Sequence, residues 1–354
     1  MRLSATLLAG LMALSPVLAV AQSQQMDEAL DISRMLLNPP EGVDLAYGAF
    51  QRGYYLTALR LAERRAATGD AVAQTLIAEI HANGLGVPQD IPRAITWYAQ
   101  ADQNGDIQAT FQLAMIYQTG TGVPRNRERA AALFQKAADG GHMAAKYNLG
   151  LLHVEGTYAE PSLVQAAELI GEAAEAGLPE AQYDYAIMLL EGAGVAPDTA
   201  GALDLLEMAA EQGLPEAQVE YATLLYMGAR DGTRDAQGAA RWYGRAAEAG
   251  NAVGQVRYAM MLAAAEGVAE DIETAAMYRT LARRQGLTED ALEQMLRGIA
   301  PETLARAEER ARYWPGVPPS ENAAADTGQA PAGVSLPNTL DTPPILLDGL
   351  TDSR

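Results

Sequence analysis

Six side chains stand out by type and spacing: Tyr147 with Asn148, Tyr183 with Asp184, Glu220, and Arg257. They fall two and three residues into successive copies of one recurring segment, where packing alone does not call for them. Phenols, an amide, two carboxylates and a guanidinium at regular intervals would offer hydrogen bonds and charge of both signs along one line. That is chemistry for holding a partner at equilibrium.

Catalysis is not expected. The nucleophile elbow G-x-S-x-G is missing, as are S-x-x-K, H-E-x-x-H and the phosphate-cradling G-x-x-x-x-G-K-[ST]. Serines are scarce, and none lies beside a histidine on a repeat helix. The glutamates Glu79, Glu155, Glu191, Glu211 and Glu248 are expected at exposed repeat positions, as solvated faces. There is no cysteine, so disulfides and thiolate metal sites are excluded. Of the three histidines, His81 and His153 share one repeat position two copies apart, too far to share a metal, and read as half-buried packing residues. No cofactor and no metal site are expected.

The element that must position these residues is a repeat. Its first halves begin at Ala73, Ala109, Ala145, Ala181, Ala217 and Gly254, in steps of 36, 36, 36, 36 and 37 residues. Periods of this size signal stacked supersecondary units. Each copy predicts two helices. The first carries apolar residues at helical spacing, with a small residue kept at Ala78, Ala114, Gly150, Ala186, Ala222 and Ala259 so that a second helix can approach closely. It closes on Gly84, Gly120, Gly156, Gly192 and Gly228, where the chain needs the left-handed conformation. Ala265 stands at that place in the last copy, which predicts a looser or differently built turn.

The turn ends on Asp90, Asn126, Ser162, Asp198, Asp235 or Asp271, all residues that cap a helix start. Alanines then recur at Ala94, Ala130, Ala166, Ala202, Ala239 and Ala275, and again at Ala101, Ala137, Ala173, Ala209, Ala246 and Ala282. Large pairs lie between them, from Trp97-Tyr98 and Leu133-Phe134 to Trp242-Tyr243, so small and large can interlock. In the last copy the pair becomes Tyr278-Arg279, as expected if that face lies nearer an end. Pro179 and Pro215 suit the first position of a helix.

The residues Ala109, Leu113, Ala114, Tyr117, Gly120, Gly122, Val123, Ala130, Ala137, Ala138 and Gly141, with the pairs Trp97-Tyr98 and Trp242-Tyr243, resemble the Sel1-like repeat, a relative of the tetratricopeptide repeat. The likeness covers roughly residues 44–287. The fourth copy departs from it at Gly156-Thr-Tyr-Ala-Glu-Pro161, and the sixth has one extra residue within Ala229–Arg234. The resemblance implies an all-α protein: an α-solenoid of about seven helix–turn–helix repeats stacked into a curved superhelix. It also implies an adaptor, because Sel1-like proteins hold partners and the partners differ.

The flanks follow the same logic. Residues 1–21 read as an export signal of an exported bacterial protein: Arg2, a short apolar run to Leu14, then Ala19-Val20-Ala21 as a cleavage site. A periplasmic or secreted protein is expected after cleavage near Ala21. Residues 22–43 form an N-terminal extension with one short helix. Residues 288–314 form a helical cap on the stack. Residues 315–354 are Pro-rich and read as a disordered tail, with an apolar cluster at Pro344–Leu350.

The chain carries 45 acidic and 25 basic residues, a formal net charge of −20. Nucleic-acid binding needs a basic stripe, and none exists. No apolar run is long enough to span a bilayer. The expected function is that of a non-enzymatic, monomeric scaffold or regulatory adaptor that binds a protein or peptide in the concave groove, in envelope signalling or polysaccharide control. The alternative is an envelope protein that binds cell-wall glycan or peptidoglycan. Aromatics make up only 6% of the chain while acids abound, which favours protein over sugar.

Overall fold

The computed structural model describes residues 44–156 and 161–316. The expected signal, the N-terminal extension, most of the irregular loop of the fourth copy and the segment beyond Gly316 lie outside the described residues. Among those described there are sixteen helices and no strands. They divide into two compact units. The unit up to Ala137 holds α1 (Leu45–Gln51), α2 (Tyr55–Ala66), α3 (Ala71–Asn83), α4 (Ile91–Gln103), α5 (Ile107–Thr119) and most of α6 (Arg127–Asp139). The unit from Ala138 holds α7 (Met143–Glu155), α8 (Leu163–Glu175), α9 (Pro179–Glu191), α10 (Thr199–Glu211), α11 (Pro215–Met227), α12 (Ala236–Glu248), α13 (Ala252–Ala264), α14 (Ile272–Arg284), α15 (Asp290–Met295) and α16 (Pro301–Tyr313).

The second helix of every full copy starts where its cap residue places it. Asp90, Asn126, Ser162, Asp198, Asp235 and Asp271 each accept a bond from the backbone N–H three residues on, at 2.7 to 3.2 Å. Each such cap contributes on the order of 1 kcal/mol. The first helices are capped too, by Asp70, Asp106, Asn251 and the Nδ1 atom of His142. Where no side chain caps, at Leu178 and Leu214, proline follows at the helix start. The closing residues Gly84, Gly120, Gly156, Gly192 and Gly228 are all left-handed.

Packing follows the alternation of small and large. The small residue of each first helix is fully buried opposite the large residue of its second helix: Ala78 clusters with Tyr98, and Ala222 with Tyr243. On α7 the small residue is Gly150, where even a Cβ would stand 2.6 Å from Cγ1 of Ile170. The second-helix alanines are buried in every full copy. Each cluster joins one helix pair to the next first helix. Leu151, Ile170 and Ala181 of α7, α8 and α9 share one such cluster, and Ala186, Leu206 and Ala217 of α9, α10 and α11 share another.

A polar staple adds to this. Gln74, Gln182, Gln218 and Gln255 are buried one residue after the repeat start. Each donates to an alanine carbonyl at the end of the preceding second helix: Ala66, Ala174, Ala210 and Ala247. These bonds satisfy carbonyls that a helix end leaves unpaired. Three of the glutamines also accept, from Asn104, Gln212 and Gln285 at the end of their own copy. At the matching place for Gln218 the chain offers Glu248 and Ala249, which have no amide to donate, and Gln218 Oε1 stays unsatisfied.

Several expectations change. The turn after α13 is built like the others: Ala265 is itself left-handed, at φ 53°, and its N–H bonds Met261 O just as Gly84 bonds Ile80 O. An alanine there costs roughly 1 kcal/mol against glycine, because its Cβ crowds the following carbonyl. Glu79 is half-buried rather than exposed, and burial together with the nearby Asp106 raises its pKa. His81 is buried, with neither ring nitrogen bonded to a described residue. Arg279 takes the core position that Tyr98, Ile170 and Leu206 hold in other copies. It is not at an open end: α15 lies over it, and Glu293 stands 3.5 Å from its guanidinium.

Candidate functional site

The six residues singled out by spacing lie on the first helices α7, α9, α11 and α13, all in the second unit. The repeat places the residue three beyond one start against the residue two beyond the previous start. Tyr147 of α7 and Asp184 of α9 meet in this way, and the tyrosine hydroxyl donates to Asp184 Oδ2 at 2.8 Å. Burial pushes Asp184 up to about 6; the Tyr147 bond opposes that rise, and the Glu180 carboxylate adds to it. Burial also raises the Tyr147 phenol, and the neighbouring Asp184 charge raises it further. This pair is therefore a half-buried, mutually satisfied contact.

The other four differ. The Asn148 amide turns back on its own helix and donates to Ala144 O at 2.7 Å. Tyr183 packs against the core cluster of α9, α10 and α11. Glu220 is half-buried, and burial raises its pKa. Arg257 is exposed, and among the described residues its guanidinium has no hydrogen bond or ion pair. At the place where the two preceding copies carry Tyr147 and Tyr183, the copy before Arg257 carries Val219, whose side chain cannot bond it. The two charges Glu220 and Arg257 both act on the Tyr243 hydroxyl, the arginine lowering and the glutamate raising its pKa, which burial raises most.

Arg257 stands at the wall of a cleft of about 250 Å³. The cleft's apolar surface comes from Met260, Met261 and Ala264 of α13 and Met295 of α15. Thr223 and Tyr226 of α11, Tyr243 of α12 and Glu266 complete it. Most of the polar groups here are already occupied. Thr223 Oγ1 and Tyr243 OH bond each other at 2.8 Å. Tyr226 OH donates to Glu266 Oε2 at 2.8 Å, and Arg234 pairs with Glu266 while its guanidinium stacks 3.8 Å from the Tyr226 ring centre.

Spacing reasoning reached Arg257 but missed the cleft around it. Tyr226 occupies a position held by Ala82, Gln118, Val154 and Leu190 in earlier copies, so periodicity gives no reason to single it out. The available signal was the extra residue within Ala229–Arg234, since that longer loop delivers Arg234 to Tyr226 and Glu266. Among the described residues no cluster of His, Asp or Glu could hold a metal ion. None of the described helices is long and apolar enough to cross a membrane.

A profile of the Sel1 repeat matches residues 71–106, 107–142, 144–178, 179–214, 215–251 and 252–287. These six matches take in more than half of the chain, which therefore belongs to the Sel1 repeat family. The family is one of repeat scaffolds that mediate protein interactions. Among solved structures, the chain is similar to c5321, a protective antigen of uropathogenic Escherichia coli strains with an SLR fold, at 22% identity and a TM-score of 0.67. That match covers 83% of this chain and 66% of the other, so the chain spans about two thirds of that protein's length. It is also similar to a Sel1 repeat protein from Oxalobacter formigenes, at 27% identity and a TM-score of 0.61, covering 69% of this chain and 97% of the other. No curated protein matches the sequence.

Proposed function

We propose that the chain is a non-enzymatic adaptor that works outside the cytoplasmic membrane and binds a protein or peptide along the first helices of its second unit. The observation that carries this reading is the pair Glu220 and Arg257, next in line after the closed Tyr147–Asp184 contact. One register of the repeat brings charge of both signs to the same helix face, beside an apolar cleft. Opposite charges in line favour an extended peptide over a ligand of one sign, and complementary charge sets register more than affinity. Export is supported by the signal-like residues 1–21, which suit periplasmic or secreted placement. A role in envelope signalling or polysaccharide control is the setting this placement favours.

The test is site-specific photocrosslinking in an envelope extract. A photoreactive residue at position 220 should capture one defined protein band. The same group at Glu211, exposed near the end of α10, should not. Equal capture at both positions would remove the site from this face. Retention on isolated cell wall with no protein captured would turn the reading to the glycan alternative.

A further inference from the structure

We propose that the cleft between α11, α13 and α15 is an anchor site for one apolar side chain of a bound peptide, flanked by a carboxylate that pairs with Arg257. This rests on the adaptor reading and names the chemistry of its partner. The cleft is smaller than the sites that hold whole small molecules, which begin at about 300 Å³. It has room for a side chain. Its surface is built from Met260, Met261 and Met295, and thioether side chains are flexible and polarizable enough to fit aliphatic or aromatic shapes. Met295 is 40% exposed, so burying it is itself a gain on binding.

The polar atoms decide the rest. The hydroxyls of Thr223 and Tyr243 are bonded to each other, the Tyr226 hydroxyl donates to the Glu266 carboxylate, and that carboxylate also pairs with Arg234. Their protons are committed, so they offer a ligand acceptor lone pairs but no donor. A sugar carries a hydroxyl on most of its carbons, and its oxygens would find no donor among these groups, at about 1–3 kcal/mol for each one buried unpaired. Among the described residues the guanidinium of Arg257 has no hydrogen bond or ion pair, and a planar donor fork best matches a carboxylate. Glu266 does not repel that carboxylate strongly, because Arg234 balances its charge. The ligand is thus apolar with one adjacent anion: Leu, Ile, Met or Phe beside Asp, Glu or a chain terminus.

Random heptapeptides displayed on phage and selected on the full-length chain test this. The expected result is enrichment of an apolar residue within two positions of Asp, Glu or the free C-terminus. Arg257→Glu should weaken these peptides at least ~10-fold and shift selection toward Lys and Arg flanks. Ala264→Phe, which fills the cleft from its exposed rim, should abolish the apolar preference while helical signal and melting stay unchanged. Enriched peptides that bind both variants as well as the parent would overturn the cleft and leave the adaptor reading standing. Enrichment of polar or basic sequences by the parent chain would also overturn it. No enriched peptide, together with no crosslinked protein at position 220, would remove both.

Discussion

The α7–α9 contact and the α11–α13 cleft occupy equivalent places in the repeat, yet they have opposite chemistry. At the first, Asp184 finds a tyrosine on the preceding helix, and the pair closes on itself. At the second, Arg257 finds Val219 in the tyrosine's place and is left to face a cleft. Both residues are charged, and both were singled out by the same spacing. Whether such a residue is available to a partner depends on what the neighbouring copy offers it, because a buried or half-buried charge takes the nearest bond that desolvation leaves.

Four measurements would break or sharpen this contrast. The largest effect is expected for Asp184→Asn, which keeps an acceptor for Tyr147 but removes a buried charge. Since the carboxyl is pushed up to about 6 in the fold, from an ordinary 3.8, the folded state binds its proton more readily than the unfolded chain. Its contribution is fully present below pH 3.8 and is lost as pH rises through 6. The variant should therefore be more stable at pH 8 by about 2–3 kcal/mol, with the gain shrinking toward pH 4, in urea titrations at both values. A loss of stability at pH 8 would mean that the charge itself holds α7 to α9.

Next, Tyr147→Phe takes away the donor and leaves the carboxylate buried without it. Stability at pH 8 should fall by about 1.5–3 kcal/mol, as for other hydrogen bonds to charged groups. The loss should lessen in acid, where the carboxyl is neutral. An unchanged urea midpoint would show that solvent already serves Asp184. A smaller gain is expected at the end of the cleft's own helix. Ala265→Gly relieves a left-handed alanine and should stabilise the protein by ~1 kcal/mol, read as a raised melting temperature. The smallest effect is for Arg257→Gln, within ±0.5 kcal/mol, because no described contact depends on that guanidinium. A larger loss would mean that Arg257 is structural, and the contrast with Asp184 would fail.

Much of the architecture is set by residue types that act within a few positions of themselves. Asp90 and Asp198 cap their helices, Gly84 and Gly192 turn the chain, and Ala94 or Ala202 lets a neighbouring helix approach. These are local effects of backbone geometry and side-chain volume, repeated in register, so the order of helices and most of the core could be read directly. The spacing also picked out the face on which Asp184 and Arg257 lie. Ala265 marks a limit of this reading: the chain kept the turn and accepted the strain of an alanine at φ 53°, because the packing on either side requires the same reversal.

What tertiary structure alone decided is which polar groups are already engaged. The staple from Gln182 to Ala174 and Gln212 joins residues 8 and 30 positions away, and Tyr147 reaches Asp184 across 37. Arg234 meets Glu266 across 32 positions, through a loop one residue longer than its counterparts. Each of these bonds depends on the distance and angle between helices from different copies, and a residue's type does not carry that information. The repeat, and the register that lines up Asp184, Glu220 and Arg257, were therefore determined by the sequence itself. The cleft, and the Arg257 guanidinium that among the described residues has no ion pair, exist only once the copies are stacked and their hydrogen bonds have been made.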